Sequence, residues 1–251
     1  MNLTERDNDK SMIFRVSEIL KAFHFGEKPL TVTEIAARSS IPKASTARIV
    51  TELIQVGLLE RDKDGVRLGL RLFELGQLAN RSADLRRFTY QSMLELGQAT
   101  GQTVHLAVLD GTEVVYVQIL RSKNAPPLPS RVGGRLPAYA TGVGKVLLAY
   151  APESTLSDIE ASGLLPIGPR TITDLSKLRT ELEAIRINRL GFETEESSAN
   201  LACAAAPIIQ NGKAIAAISV TVDIRQTDIT RVGPAVSAVA RALSRNAAKI
   251  N

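Results

Sequence analysis

Apolar positions follow a helical rhythm through the first part of the chain. In residues 11–25, Ile13, Val16, Leu20 and Phe23 recur at helical spacing, and Gly26 follows as a stop. A second helix opens at Thr31, whose hydroxyl forms a capping box with Glu34 three residues on. It carries Ile35 and Ala36 inward and ends near Ser39. Pro42 falls at the first position of a third helix, residues 42–56, which Gly57 stops. Projecting this helix at about 100° per residue puts Ala47, Val50, Leu53, Ile54 and Gly57 on one inward side. Ala44, Ser45, Arg48, Glu52 and Gln55 take the other side, and Lys43 reaches outward from the N-terminal end. Two short runs, 58–61 and 66–68, flank a turn at Asp64-Gly65, which predicts a hairpin wing.

Residues 70–81 return to helical spacing through Leu72, Leu75, Leu78 and Ala79 and predict a linker helix. Residues 84–100 give another helix, with Phe88, Leu94 and Leu96, ended by Gly101. The rhythm then shifts to strands. Segments 103–109 and 114–120 predict an antiparallel hairpin about Asp110-Gly111, and 125–129 (APPLP) a rigid loop. A helix starts near Thr141, and another covers 174–190 with Leu175, Leu178, Leu182 and Ile185, closed by Gly191. Strands follow at 192–196, 201–209 and 213–223, the last two joined by Asn211-Gly212. An amphipathic helix covers 227–249. The fold class is α+β. A flexible N-terminus (1–10) precedes a winged helix-turn-helix (11–69), a linker helix (70–83) and an antiparallel-sheet sensor domain (84–251).

The chain's 251 residues suit two domains. No run of eighteen apolar residues suggests a membrane span, and the polar start lacks the apolar core of a signal peptide, so a cytoplasmic protein is expected. A single cysteine, Cys203, precludes an internal disulfide and, with two histidines, argues against a zinc site; no cofactor is expected. The net charge of +5 does not by itself single out a nucleic-acid-binding end, because residues 1–80 hold 12 Lys and Arg against 11 Asp and Glu. Local placement does. Between Glu34 and Glu52 there is no acidic residue, while Arg38, Lys43 and Arg48 lie in that window. Helix, tight turn and helix with a basic, hydroxylic outer face is how a recognition helix enters the major groove. Lys43, Ser45, Thr46 and Arg48 are its DNA-binding candidates, and on the wing Lys63 and Arg67, together with Arg61, can reach phosphates. Two blander readings stay open: an ordinary solvated surface, or a winged helix that docks a protein.

Two features of the second domain suggest a cavity. Residues 201–206 (LACAAA) put small side chains in a buried strand, and Ser219, Thr221 and Asp223 share one face of its neighbour. Close helix-on-sheet packing explains the same pattern. The segment 141–145 (TGVGK) resembles a phosphate loop, but Tyr139 and Val146 break the motif. Cys203 as a nucleophile lacks a base placed by sequence, and His105 reads as a hydrogen-bonded structural residue.

Residues 32–48 (VTEIAARSSIPKASTAR), 132–149 (VGGRLPAYATGVGKVLLA), 191–196 (GFETEE), 201–208 (LACAAAPI) and 215–222 (IAAISVTV) together resemble the IclR family of bacterial regulators. The resemblance implies a GAF-like effector domain, and dimers that pair into tetramers. It also implies control of catabolic or transport operons by small organic acids or aromatics. It places Lys43, Ser45 and Arg48 on DNA-contacting positions. It sets a ligand carboxylate against the backbone of Gly142 and Val143, with Glu193, Cys203, Ser219 and Thr221 completing the site and apolar walls near Leu128 and Leu136. Ala44-Ser45 departs from the family's Ser-Thr pair, Tyr139 from its His, and Glu193 from its frequent Asp. An ionised Glu193 would oppose a carboxylate.

The expectation is therefore a ligand-responsive regulator, a repressor in the first instance with an activator as the alternative sign, and not an enzyme. Its partners are a double-stranded DNA operator, a small-molecule effector and further copies of the chain (homodimer or dimer of dimers), with no membrane. The alternatives are a Cys203-dependent hydrolase fused to a DNA-binding module, and a protein-docking scaffold.

Overall fold

The computed structural model describes residues 11–78 and 80–247. The expectations for residues 1–10, for Ala79 and for the end of the C-terminal helix at Lys249 lie outside them. The chain divides into two compact units between Asn80 and Arg81.

The first unit contains α1 (Met12–Lys21), α2 (Val32–Ser39), α3 (Lys43–Gln55), β1 (Leu59–Asp62), β2 (Gly65–Leu68) and α4 (Leu70–Gln77). Helix α1 is shorter than its apolar spacing predicts. Ile13 is 82% exposed, and the inward stripe begins at Val16 and runs through the fully buried Ile19. At α2 the capping box forms: Thr31 Oγ1 accepts the Glu34 amide at 3.2 Å and Glu34 Oε2 accepts the Thr31 amide at 2.7 Å. Ser40, in the left-handed region at φ 55°, turns the chain, and Pro42 stands one place before α3 as its N-cap.

The inward face of α3 is Thr46, Ile49, Val50 and Leu53, whereas Ala47 faces solvent. Apolarity favours Ala47 over Thr46 for the core, but the Thr46 hydroxyl reaches the carbonyls of Ile41 (3.2 Å) and Pro42 (3.3 Å). With its hydrogen bond satisfied inside the helix, it can be buried without penalty. The wing pairs Asp62 with Gly65, so Lys63 and Asp64 form the turn and Gly65 opens β2. There Val66 bridges Leu30, and a Cβ on Gly65 would lie 2.5 Å from the Leu30 carbonyl oxygen, which excludes any side chain.

The second unit contains α5 (Asn80–Thr100), β3 (Thr103–Asp110), β4 (Glu113–Leu120), β5 (Arg135–Pro137), α6 (Gly142–Leu148), α7 (Glu153–Ser162), α8 (Leu175–Asn188), β6 (Gly191–Thr194), β7 (Leu201–Gln210), β8 (Lys213–Asp223) and α9 (Gly233–Asn246). The six strands form one antiparallel sheet in the order β5-β4-β3-β8-β7-β6. Strand alternation gives the sheet two different faces. Val104, Leu106, Ala204, Ile218 and Val220 pack with Met93 and Leu96 of α5 and Val236 and Ala240 of α9. Ala107, Tyr116, Cys203 and Ala217 face the layer made by α6, α7 and α8.

Helix α7 has no counterpart in the sequence reading; its buried apolar residues are Leu156 and Ile159. Helix α8 stops at Arg189, which takes the left-handed conformation at φ 54°, so Gly191 begins β6 rather than closing the helix. The expected C-terminal helix of 227–249 starts at Gly233, after a short 3-10 turn over Ile229–Arg231.

Candidate DNA-binding surface and ligand cavity

The outer face of α3 presents Lys43, Ala44, Ala47 and Arg48 to solvent, with Ser45 half-buried beside them. Among the described residues neither Lys43 nor Arg48 forms an ion pair. Pro42 provides no side-chain cap and the first turn of α3 holds no carboxylate, so the positive end of the helix dipole is uncompensated. Free amides, Lys43 and Arg48 together favour phosphate and base edges. Thr46 does not belong to this surface: it is fully buried, with its hydroxyl spent on Ile41 and Pro42, which corrects its assignment as a DNA contact. Arg38, counted toward the local positive potential, is also committed elsewhere. Its guanidinium meets Glu27 at 2.5 Å and the Ala22 carbonyl at 3.0 Å.

On the wing, Lys63 sits exposed in the turn. Arg67 is exposed too, but its guanidinium pairs with Glu60 (2.6 Å) and Asp62 (3.3 Å), so a phosphate must compete with two carboxylates.

In the second unit, a cavity of about 30 Å³ opens on the sheet face under α6. All eight side chains and backbone positions expected at an effector site line it: Leu128, Leu136, Gly142, Val143, Glu193, Cys203, Ser219 and Thr221. Strand pairing explains the convergence. Glu193 of β6 pairs Cys203 of β7, Cys203 pairs Thr221 of β8, and Ser219 pairs His105 of β3, so one sheet face carries a continuous polar row. Asp223, the third member of the predicted β8 row, does not line the cavity. Its carboxylate is bound by Arg225, at 2.9 Å to Nε and 2.6 Å to Nη2, which holds it well below the usual range, at about 2.

Cavity and close packing both prove true, at different places. The alanines at 202, 204 and 206 pack on the face that carries α9, while the opposite face meets α6. A Cβ on Gly142 would come within 2.9 Å of Cys203 Sγ, so α6 can lie this close to β7 only with glycine there. Thr141 caps α6 by accepting the Gly144 amide at 3.1 Å. Lys145, the lysine of the apparent phosphate loop, is fully buried and points away from phosphate chemistry, forming ion pairs with Glu181 and Glu196.

Residues outside the sequence-derived set also line the cavity, among them His105, Tyr116, Ser130 and Ser197. His105 is hydrogen-bonded as expected, Nε2 to Ser130 Oγ at 2.8 Å, and its ring stacks edge-on against Tyr116. Burial, with Arg121 nearby, pushes its pKa down to about 3, so the imidazole is neutral at physiological pH. Its position on β3, facing the Ser219 row, is a signal that strand alternation carries; Ser130, in a loop, leaves none. Burial likewise pushes the Cys203 thiol up to about 12, with Glu193 adding to it, so no thiolate forms there. Glu193 is 2% exposed. Its Oε1 accepts the amides of Glu196 (2.6 Å) and Ser197 (3.0 Å), yet burial outweighs these bonds and raises its carboxyl to about 7.

A winged helix-turn-helix with a free basic face, followed by a sheet domain enclosing a mixed polar and apolar cavity, is the build of a one-component DNA-binding regulator. Residues 13–63 match the IclR helix-turn-helix domain and residues 77–245 match the bacterial transcriptional regulator IclR C-terminal family. The chain is 31% identical over 211 residues to the HTH-type transcriptional regulator XynR of Escherichia coli (strain K12), covering 82% of this chain and 84% of that protein. It is 31% identical over 224 residues to the HTH-type transcriptional regulator KdgR of the same organism, covering 88% of this chain and 85% of that protein. The crystal structure of an IclR homologue from Microbacterium hydrocarbonoxydans complexed with 4-hydroxybenzoate superposes with a TM-score of 0.87 at 30% identity, covering 94% of this chain and 98% of that one. The chain belongs to the IclR family of bacterial transcriptional regulators. These relatives are regulators rather than enzymes, and nothing supports a hydrolase built on Cys203. No helix among the described residues is long and apolar enough to cross a membrane.

Proposed function

We propose that this protein is a ligand-responsive repressor of a catabolic or transport operon, acting in the cytoplasm. In this reading α3 contacts operator bases through Lys43, Ser45 and Arg48, Lys63 of the wing holds the phosphate backbone, and a small organic acid or aromatic acid occupies the second-unit cavity. The observation that carries the reading is the convergence of Gly142, Val143, Glu193, Cys203, Ser219 and Thr221 on one cavity, in a chain whose Lys43 and Arg48 form no ion pair among the described residues. Repression is the simpler sign, because an occupied operator blocks transcription without a further contact.

At about 30 Å³ the cavity holds only water-sized groups, so an aromatic acid requires it to expand. The yielding wall is the loop with Leu128 and Ser130, held by His105 on Ser130 Oγ and by Arg121 on the Ser130 carbonyl at 2.9 Å. Effector entry exchanges those contacts for ligand contacts. The covalent path to the first unit then runs through α5 and α4, and copies of the chain pair as a dimer or dimer of dimers on half-sites about 34–36 Å apart.

Footprinting on the DNA upstream of the chain's own reading frame tests the DNA half. Protection of a partly palindromic site that Arg48→Ala abolishes is expected; no protection at any protein concentration refutes it. A thermal-shift screen of small carboxylic acids, 4-hydroxybenzoate included, tests the ligand half.

A further inference from the structure

Among the described residues that line it, the cavity has a carboxyl group and no cation. Glu193 lies in its wall beside Gly142, where a Cβ would meet Glu193 Cβ at 3.5 Å, and among the described residues no lysine or arginine lines the space. The basic side chains nearby are already committed. Lys145 pairs with Glu181 and Glu196, and Arg121, which donates to the Ser130 carbonyl from behind the wall, is not among the residues that line the space. A carboxylate entering the cavity therefore faces a like charge in a buried setting, where such pairs are strongly unfavourable. One proton removes the conflict. A protonated Glu193 becomes a hydrogen-bond donor toward the ligand, while Oε1 keeps its two backbone amides.

We infer that this cavity binds its acid effector together with one proton, taken up by Glu193, so that the effector's affinity is set by pH as well as by concentration. The inference rests on the effector-cavity reading above and adds a regulatory input to it. The balance is simple: an ionised Glu193, a carboxylate ligand and one proton from solvent give a neutral Glu193 carboxyl beside a bound carboxylate. No bond other than the O–H forms.

The groups facing Glu193 make it the one that takes the proton. Across the sheet, Cys203 on β7 and Tyr116 on β4 are both pushed upward by burial and stay neutral as the pH rises through 8. His105 on β3 is neutral down to about pH 3. From α6, Lys145 favours the ionised form of Glu193, but it is shared between Glu196 and Glu181 of α8, and Glu196 disfavours that form. Glu193 itself, raised to about 7 by burial, is the cavity group that changes charge near neutrality.

The test is isothermal calorimetry of the full chain with benzoate, 4-hydroxybenzoate and pyruvate between pH 6 and pH 9, each titration repeated in phosphate and in Tris. For an acid that binds, the expected Kd is flat below pH 7 and rises about tenfold per pH unit above it, and the buffer difference shows close to one proton taken up at pH 8.5. Glu193→Gln, which keeps an acceptor for both amides, is expected to flatten Kd to within twofold over the whole range. The buffer comparison needs no variant, so it holds even if Glu193→Gln folds poorly. Binding with no proton uptake at pH 8.5, affinity that rises with pH, or an unchanged slope in Glu193→Gln overturns the proton coupling and leaves the effector cavity standing. No binding of any of the three acids at pH 6, where Glu193 is neutral, overturns the small-acid reading and the coupling with it.

Discussion

Lys145 Nζ lies 2.5 Å from Glu196 Oε1, with the Lys145 side chain fully enclosed and that of Glu196 only 8% exposed. Glu181 shares the ammonium from α8, and Glu196 Oε2 has no hydrogen-bond partner among the described residues. The lysine thus ties α6, α8 and the turn after β6 to one point under the cavity. Breaking such a pair strands a buried charge, so Lys145→Met is expected to cost about 3–5 kcal/mol of stability. Adding Glu196→Gln to it should recover part of that loss. Urea unfolding of both variants checks this, and a double variant no more stable than the single one contradicts it.

Arg48 and Thr46 are two residues apart and have opposite roles. Arg48→Ala should leave stability unchanged and lose discrimination at one base pair, worth about 1–3 kcal/mol. Thr46→Val should lower stability by about 1 kcal/mol through its lost hydrogen bonds while the folded protein keeps its sequence choice. Competition binding with operator point variants separates the two.

The wing residues should differ as well. Lys63→Ala is expected to weaken operator and random DNA alike and to reduce the slope of log K against log salt by about 1. Arg67→Ala should do less, because Glu60 and Asp62 already hold its guanidinium. Equal effects of the two substitutions on the salt slope would show that those ion pairs yield to DNA.

Gly142→Ala drives a methyl to 2.9 Å from Cys203 Sγ and 3.2 Å from its Cβ, in the wall of the cavity. Overpacking of this kind costs about 1–3 kcal/mol. The variant should bind operator normally and fail to respond to any effector. A combined Gly142→Ala and Cys203→Ala protein relieves the clash and should regain part of the response, read as effector-dependent release of DNA.

Stability should carry the Glu193 signature too. Its carboxyl is raised from 4.5 to about 7, so between those values the folded state holds a proton that the unfolded state has lost. Stability contributed by this group is therefore present below pH 4.5 and declines as pH rises to 7, by up to about 1.4 kcal/mol per pH unit. Asp223 has the opposite sign: lowered to about 2 by Arg225, it contributes above its unfolded value of 3.8 and loses that as pH falls. Denaturation midpoints at pH 5, 6 and 7 should drop for the native sequence and drop less for Glu193→Gln.

Local chemistry was legible in the sequence wherever it acts over a few residues. The Thr31 and Glu34 box forms, and Asn211-Gly212 joins Gln210 to Lys213 with both turn residues at positive φ. Face assignments failed where tertiary packing overrides apolarity, as with exposed Ile13 and Ala47 and buried Thr46. Helix α7 escaped notice because Leu156 and Ile159 make too short a stripe. The cavity set reached by family resemblance converges in space, while Ser130 and the Lys145–Glu181–Glu196 cluster depend on contacts between segments 25 to 51 residues apart that no local pattern encodes.

The most direct measurement is operator affinity with and without a saturating acid shown by calorimetry to occupy the cavity. A ligand that regulates must bind the DNA-competent and released states unequally, and a coupling of at least tenfold, about 1.4 kcal/mol, is the expected result. Indistinguishable affinities with the cavity filled and unfilled would contradict the account.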